Sequence, residues 1–285
     1  ATEFEVITVL MFEYFGHMHP VDIAIIEAGM GGLYDSTNVF KALAVLCPSI
    51  GLDHQNVLGK TYAEIAAQKA GVLKEGVPFI FATERDDVRQ VFTEKAKACH
   101  SRLYEFGKDF SASENENSFD YHGKERLEQV SLAMPGKHQV SNASLAITAA
   151  LQLRERYPKV TKEIIKAGLA QTHWVGRTEL VFPNVMIDGA HNNESVQALV
   201  NVMQKYKDKH LNFLFAAIDT KPIDSMLELL SQLADVDVTT FVYHNALPLE
   251  KYPSQYHKVA NWQDWLKQID LDSQDDFYLI TGSLY

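Results

Sequence analysis

Apolar residues recur along the chain with two periods, one typical of helices and one typical of buried strands. Helical spacing through residues 2–16, at Phe4, Ile7, Leu10, Met11 and Phe15, predicts an amphipathic helix that ends at Gly16. An unbroken apolar run at 21–27 predicts a buried strand that feeds the glycine-rich turn Gly29-Met30-Gly31-Gly32. The helical runs span 2–16, 62–69, 86–99, 139–157, 161–172, 194–207, 223–233 and 260–269, and the strand-like runs span 21–27, 43–50, 78–82, 102–105, 185–188, 211–216, 238–243 and 277–280.

This alternation of strands and helices predicts an α/β fold with a mostly parallel sheet. A polar, alternating stretch at 110–134 interrupts the order and predicts a hairpin excursion at one edge of that sheet. The α/β pattern restarts after Gly176. We therefore expect two domains, at 1–175 and 176–285.

Composition and charge narrow the class of protein. Apolar residues make up 46% and charged residues 22% of the 285, which is typical of a globular chain and excludes a disordered one. With 26 Lys and Arg against 37 Asp and Glu, the net charge is −11, so we expect no nucleic-acid partner and no membrane partner. No apolar run reaches the roughly 18 residues that a membrane span needs.

The two cysteines, Cys47 and Cys99, lie far apart and outside any C-x-x-C spacing. They predict neither a disulfide framework nor a thiolate metal site, and they favour a cytoplasmic location. The chain starts with neither a signal-peptide core nor an initiator Met, which we interpret as a start inside a longer sequence.

Candidate chemistry follows the ends of the predicted strands, where ligands of open parallel sheets bind. Glu27 with its glycines, Asp53-His54, the segment from Asp188 to Asn192, and Thr281-Gly282-Ser283 all occupy such positions. Glycine-rich turns expose N–H groups to phosphate, and carboxylates hold hard cations. Together these loops indicate a site for a metal and a nucleotide.

Each of these residues also has a structural interpretation. Glu27 and His54 could cap turns, and Lys69 before Ala70-Gly71 suits a helix C-terminus, where a cation meets the helix dipole and Gly takes the C′ position. Asp188, His191 or Asn192 could cap the helix predicted from residue 194. The residues taken one at a time leave these alternatives open.

The ordered set of motifs is more specific than any single one, and it resembles the folylpolyglutamate and dihydrofolate synthases of the Mur ligase superfamily. The matching segments are Glu27-Ala28-Gly29-Met30-Gly31-Gly32, Asp35-Ser36-Thr37-Asn38, Ile50 to His54, Leu58-Gly59, Ile65 to Lys74, Gly136 to Gln139 with Asn142, Gly176-Arg177, Asp188 to Asn192, and Thr281 to Tyr285. The resemblance covers nearly the whole chain. It implies a P-loop-type, mostly parallel sheet domain, here incomplete, followed by a smaller Rossmann-like α/β domain.

One departure from the family is large. The family has a G-T-N-G-K-G-S P-loop, and no Gly-Lys-Gly-Ser or Gly-Lys-Thr sequence follows a predicted strand here. We therefore expect a truncated form of the enzyme, inactive by itself.

The resemblance also implies a reaction and a set of residue roles. ATP phosphorylates a carboxylate of the folate or dihydropteroate substrate, and L-glutamate displaces the phosphate. By motif, Glu27 and His54 are metal ligands for Mg²⁺, with Mn²⁺ as an alternative, and Lys69 becomes carbamylated. The resemblance further assigns Asn142, Arg177 and Asp188 to the nucleotide, and it places His191 and Ser283 near glutamate or the transferred phosphate. Phe4 and Asp35 match positions near the pterin. The catalytic candidates are Lys69, Arg177 and His191.

The expected partners are therefore the small molecules ATP, L-glutamate and a folate or dihydropteroate, bound by a monomer. Two other functions remain open: a non-catalytic nucleotide- or folate-binding remnant, and a Mur-type ligase of cell-wall peptides. A remnant would have no reason to keep Glu27, His54 and Lys69 together. The segments from Asp188 to Asn192 and from Thr281 to Ser283 favour the folate branch over the cell-wall branch.

Overall fold

The computed structural model describes residues 1–283, and the contacts within it divide the chain into two units. The first comprises Ala1–Gln129 and Ser141–Ile165, and the second comprises Val130–Val140 and the chain from Lys166 onward. Leu284 and Tyr285, which end the last predicted motif, lie outside the described residues.

From residue 43 onward the order of helices and strands follows the predicted alternation, except that the strand predicted at 238–243 lies at Val236–Val238. The helices are α1 (Glu3–Glu13), α2 (Gln55–Leu58), α3 (Tyr62–Ala70), α4 (Asp86–Ala98), α5 (Lys137–Leu153), α6 (Lys162–Gln171), α7 (Asn193–Met203), α8 (Ile223–Leu230) and α9 (Trp262–Leu266). The strands are β1 (Val45–Cys47), β2 (Phe79–Phe81), β3 (Leu103–Glu105), β4 (Ser111–Glu114), β5 (Phe119–His122), β6 (Arg126–Val130), β7 (Glu179–Phe182), β8 (Val185–Asp188), β9 (His210–Phe215), β10 (Val236–Val238), β11 (His257–Lys258) and β12 (Asp276–Thr281). The predicted α/β class is confirmed.

The core of the first unit is a three-stranded parallel sheet in the order β1-β2-β3. Its centre is an aromatic cluster in which Phe79 and Phe81 pack edge-on against Phe92 of α4, with ring centroids 4.9 and 5.1 Å apart. All three side chains are buried, and such pairs contribute beyond their area of burial. β1 has a paired neighbour on one side only within residues 1–283.

Two predictions for the start of the chain are wrong. Residues 21–27 form no strand, because no described strand lies beside them to pair with their backbone groups, and Ile25 is 96% exposed. The helix α1 forms and continues into a π-helical turn at Tyr14–Met18, but its apolar stripe is not buried. Thr8 is the one buried residue of α1, whereas Ile7 and Leu10 are exposed.

The polar stretch at 110–134 forms a separate sheet in the order β4-β5-β6 rather than an addition to the parallel one. β4 and β5 pair antiparallel, as the predicted hairpin requires. Tyr121 of β5 is buried, and its hydroxyl lies 2.9 Å from the hydroxyl of Thr148 on α5. That hydrogen bond joins this sheet to the helix.

The second unit is built on a six-stranded sheet in the order β11-β10-β9-β12-β8-β7. All its pairings are parallel except that of β7 with β8. Two of its strands, β7 and β11, escaped prediction because they are short, exposed edge strands. Phe213, Phe215 and Leu279 from the central strands are buried against α7 and α8.

The domain boundary at 175/176 stays a prediction, because the division by contacts falls elsewhere. Residues 130–140 belong to the second unit, where a Cβ on Gly136 would lie 3.2 Å from Val202 of α7. Within residues 1–283, no helix combines the length and the apolar character that crossing a bilayer would require.

Candidate active site

The glycine-rich turn of the first unit packs on the end of α3. The N–H of Leu33 donates to the carbonyl of Gln68 at 2.8 Å, and a Cβ on Gly32 would lie 2.8 Å from the carbonyl oxygen of Lys69. Only glycine permits this close approach. The turn therefore caps the helix that carries Lys69, which ties the segment after Glu27 to Lys69 by direct contact.

Asp35 organises the same turn. Its carboxylate accepts hydrogen bonds from the N–H of Met30 at 2.7 Å, the N–H of Thr37 at 3.0 Å and the hydroxyl of Thr37 at 2.6 Å. Partial burial opposes ionisation, but these hydrogen bonds outweigh it and lower the pKa of Asp35. The ring of Phe4 lies directly on Gly29. Both side chains predicted to approach the pterin are thus engaged in holding the turn.

Glu27 and His54 present unengaged side chains. Both residues are exposed, and neither side chain has a hydrogen bond or ion pair within residues 1–283. His54 has a left-handed backbone (φ 52°) at the start of α2, whereas Glu27 lies in extended chain outside any element. A carboxylate and an imidazole that nothing else occupies are the donors expected of a cation site completed by water and phosphate oxygens.

Within the described chain, no group of three or more His, Cys, Asp or Glu side chains could hold a metal. This does not conflict with a Mg²⁺ site, because Mg²⁺ is commonly held by one or two protein groups together with water and substrate phosphates. The residue types of Glu27 and His54 suit such an ion, although no hydrogen bond or ion pair joins the two side chains within residues 1–283.

Lys69 lies in the last turn of α3. Its charge acts on the thiol of Cys47 at the end of β1, although burial dominates and raises the pKa of Cys47 to about 11. Gly71, the helix cap, has φ −59° rather than the left-handed conformation of a C′ glycine. A side chain there would collide with Leu33, so close packing accounts for this glycine.

The sequence Gly59-Lys60-Thr61 precedes α3 and is the chain's one Gly-Lys-Thr triplet. Its donors are already used, because the Glu64 carboxylate accepts from the N–H of Lys60 at 2.7 Å and from the N–H and hydroxyl of Thr61, both at 3.0 Å. The Lys60 hydrogen bond contributes most to lowering the pKa of Glu64. Thr61 and Glu64 thus form the capping box that starts α3, and the triplet is a helix start rather than a P-loop.

In the second unit, Asp188 fixes the loop that carries Arg177. One carboxylate oxygen of Asp188 accepts from the N–H of Thr178 at 2.7 Å and the other from the N–H of Ala190 at 2.8 Å. The N–H of Gly189 donates to the carbonyl of Gly176 at 2.7 Å. The 176–178 and 188–190 loops are therefore tied together, and Arg177 stands beside Asp188.

Burial controls the electrostatics of this pair of loops. It raises the pKa of Asp188, while the two N–H donors and the charge of Arg177 act in the opposite direction. Burial also lowers the pKa of His138, which interacts electrostatically with both Asp188 and Arg177. Sequence reasoning quoted His138 in a motif and gave it no role, because nothing local indicates that it meets residues 39 and more positions away.

Two buried hydroxyls flank Asp188 in the sheet. Thr281 is in register with Asp188 across the β12–β8 pair, and Thr178 precedes β7 on the other side. The hydroxyls of Thr178 and Thr281 are buried, and neither has a partner within residues 1–283. These two hydroxyl groups, in residues that neighbour Asp188 through the backbone, could form hydrogen bonds that the fold itself does not use.

His191 and Asn192 have separate tasks. Asn192 caps α7, accepting from the N–H of Ser195 at 2.9 Å in a capping box, so the capping alternative is confirmed for Asn192 alone. His191 Nδ1 lies 2.8 Å from the carbonyl oxygen of Gly189, which fixes the ring and leaves Nε2 without a partner in the described part of the chain.

The loops that follow β12 and β9 meet at the same edge. Gly282 (φ 107°) lies so close to the carbonyl of Ala216 that a Cβ would overlap it. The loop after β9 continues to Asp219 and Lys221, charged residues that sequence reasoning missed although they also follow a strand. Ser283 comes directly after Gly282, at this edge. Asn142 is exposed on α5, in the first unit.

Comparison with known proteins identifies the family of this chain. Residues 6–150 match the Mur ligase middle domain. The chain is 35% identical to the dihydrofolate synthase/folylpolyglutamate synthase of Bacillus subtilis, over all of this chain and 70% of that protein. The chain belongs to the folylpolyglutamate and dihydrofolate synthase family of Mur ligases.

Other members of the synthase family agree with this assignment. The folylpolyglutamate synthase of Lacticaseibacillus casei is 31% identical over all of this chain and 69% of its own length. A solved FPGS-AMPPCP-folate complex superposes with a TM-score of 0.84 at 29% identity, covering 100% of this chain and 69% of that one. The two-domain α/β fold expected from the sequence is the fold of this family.

Proposed function

We propose that the chain serves the ATP-dependent ligation of L-glutamate to folate. The supporting observation is the family match over the whole chain, together with the adjoining Arg177 and Asp188 loops in the second unit and the packing of the glycine turn after Glu27 on the end of the helix that carries Lys69. In this reaction ATP phosphorylates a folate carboxylate, and the glutamate amine then attacks the acyl phosphate and releases inorganic phosphate. Dihydropteroate is a second acceptor by the same chemistry.

We assign the residues of the second unit to the nucleotide, the transferred phosphate and L-glutamate. Arg177 offers a planar fork of donors that suits a terminal phosphate. Asp188 holds the Arg177 loop and is available to the ribose, and Asn142 of the first unit is assigned to the nucleotide as well. His191, with Nε2 free, and Ser283 are assigned to glutamate and the transferred phosphate. Phe4 and Asp35 support the pterin side by shaping the glycine turn.

Glu27 and His54 would hold Mg²⁺, or Mn²⁺ in its place, and the ion when bound neutralises phosphate charge. Lys69 is proposed to be carbamylated, since this converts a cation beside a metal site into a carboxylate-like group. Carbon-13 NMR near neutral pH with labelled bicarbonate, metal and nucleotide tests this. A carbamate signal lost in Lys69→Arg is expected, and its absence from the wild type overturns the modification.

Ligand binding to the 285-residue chain tests the proposed function. Titration calorimetry is expected to give saturable binding of a non-hydrolysable ATP analogue and, separately, of L-glutamate. Arg177→Lys should weaken the analogue about tenfold while leaving glutamate unchanged, because the bidentate fork is lost and the charge is kept. Binding of nucleotide without glutamate would favour a nucleotide-binding remnant instead. Sedimentation velocity tests the proposed monomer.

A further inference from the structure

The loop after β9 is held by a segment distant in sequence, residues 245–252. The N–H of Asp219 donates to the carbonyl of Asn245 at 3.0 Å, Ile218 forms a bridge with Ala246, and the N–H of Leu247 donates to the carbonyl of Ala217 at 2.8 Å. Residues 245–247 therefore hold this loop in addition to its own short-range hydrogen bonds.

Tyr252 holds the same loop through a side-chain hydrogen bond. Its hydroxyl oxygen accepts from the N–H of Ala217 at 2.9 Å, and both residues are almost completely buried. The neighbouring ladder has just ended, since the N–H of Ala216 donates to Thr281 of β12 and β9 itself stops at Phe215. Water does not reach Ala217, so without the phenol its N–H would have no acceptor.

The loop after β9 in turn determines where the loop after β12 lies. Gly282 packs on the carbonyl of Ala216 and on the ring of Phe215, at distances that leave no room for a Cβ. The same Phe215 ring packs edge-on against Tyr252, with centroids 6.4 Å apart. A continuous line of contacts thus runs from Tyr252 through Ala217 and Ala216 to Gly282, the residue before Ser283.

We infer that Tyr252 is a positioning residue for the amino-acid substrate: by fixing Ala217 it sets the distance between the 216–221 loop and Ser283. This inference rests on the proposed function, in which that edge receives L-glutamate. Burial raises the pKa of Tyr252 to about 12, so the phenol stays neutral and its oxygen remains an acceptor throughout the working pH range.

Tyr252→Phe, which removes only the hydroxyl, tests the inference in the 285-residue chain. We expect the dissociation constant for L-glutamate to rise about tenfold and that for a non-hydrolysable ATP analogue to stay unchanged, because the Arg177 and Asp188 loops do not contact Tyr252. Amide hydrogen exchange should speed up at Ala217 and at Gly282. Tyr206→Phe is the matched control, since Tyr206 stacks on Phe277 in the same unit and its hydroxyl has no partner in the described chain; it should change neither ligand.

The outcomes separate the inference from the proposed function. Equal glutamate affinity in Tyr252→Phe and wild type overturns the inference alone, and so does loss of affinity for both ligands together, since that is the result of general destabilisation. No glutamate binding by the wild type overturns the proposed function. If Tyr252→Phe does not fold, amide hydrogen exchange in the wild type tests the inference. Saturating L-glutamate should slow the exchange of the Ala217 and Gly282 amides, and unchanged exchange rates contradict the inference.

Discussion

The first 44 residues and the six-stranded sheet of the second unit have similarly apolar sequences but differ in how they are packed. In the first region large side chains such as Ile7, Leu10 and Ile25 remain exposed. In the second region Phe213, Phe215 and Leu279 are buried, and the loops at the carboxyl edge are fixed by hydrogen bonds to distant residues. An apolar run becomes a strand only where a neighbour completes its ladder.

This difference also separates the candidate residues of the first unit from those of the second. Asp188 and Tyr252 hold the loops around Arg177 and Ser283 in place without any ligand. Glu27, by contrast, lies on extended chain that no sheet supports. We therefore expect substitutions in the first region to change turnover more than they change the binding of nucleotide and L-glutamate to the second unit.

The largest expected effect concerns turnover itself. The 285-residue chain by itself should not release phosphate from ATP in a reaction that requires folate and glutamate, because its sequence contains no P-loop like the G-T-N-G-K-G-S of the family. A coupled phosphate assay measures this, with the B. subtilis relative as the positive control. Folate- and glutamate-dependent release above background would contradict both this prediction and the functional contrast between the two regions.

Two matched substitutions measure the difference in packing. Phe213→Ala should lower the free energy of unfolding by about 3–5 kcal/mol, because Phe213 is 1% exposed and its removal leaves a cavity. Phe15→Ala should cost less than about 1 kcal/mol, since Phe15 is 46% exposed. Urea unfolding followed by circular dichroism gives both values. Equal losses would mean that the first region is packed in solution.

The metal assignment predicts a smaller, local effect in the first region. Glu27→Gln keeps the shape and removes the charge, so Mn²⁺ affinity in the presence of an ATP analogue should fall at least about tenfold, with an unchanged melting temperature. His54→Ala should act likewise, and Glu116→Gln, in an exposed loop, should do nothing. A lower melting temperature with normal Mn²⁺ affinity would instead identify Glu27 as a turn cap.

Sequence patterns predicted the elements whose packing is complete and failed where the packing partner is distant or lacking. Strand 78–82 and helix 86–99 correspond to β2 and α4 because each buries a regular apolar face. The prediction of a strand at 21–27 was wrong because no described strand lies beside these residues. Asn192 could be predicted as a cap because capping is local, spanning three residues.

The candidate site shows the same limit. Asp188 and Ser283 could be predicted because they lie at or after the ends of strands, but the contacts that fix their loops could not. Asp188 holds Thr178 ten residues away, and Tyr252 holds Ala217 across 35 residues. Such pairs are set by the order of strands in the sheet, which a single sequence does not give.

The smallest expected effect tests whether Glu64 closes the Gly-Lys-Thr turn in solution. Its hydrogen bonds to Lys60 and Thr61 place its pKa below the ordinary value in the folded chain. A depressed carboxyl pKa gives stability that is fully present above about pH 4.3, the unfolded value, and is lost as the pH falls through the folded value. Glu64→Gln should therefore lower the melting temperature slightly at pH 7, and the difference from wild type should shrink below about pH 4. Glu116→Gln, whose carboxylate has no partner in the described chain, should show no such pH dependence. A difference between Glu64→Gln and wild type that is constant from pH 7 to 3 would mean that the Glu64 carboxylate does not accept these hydrogen bonds in solution.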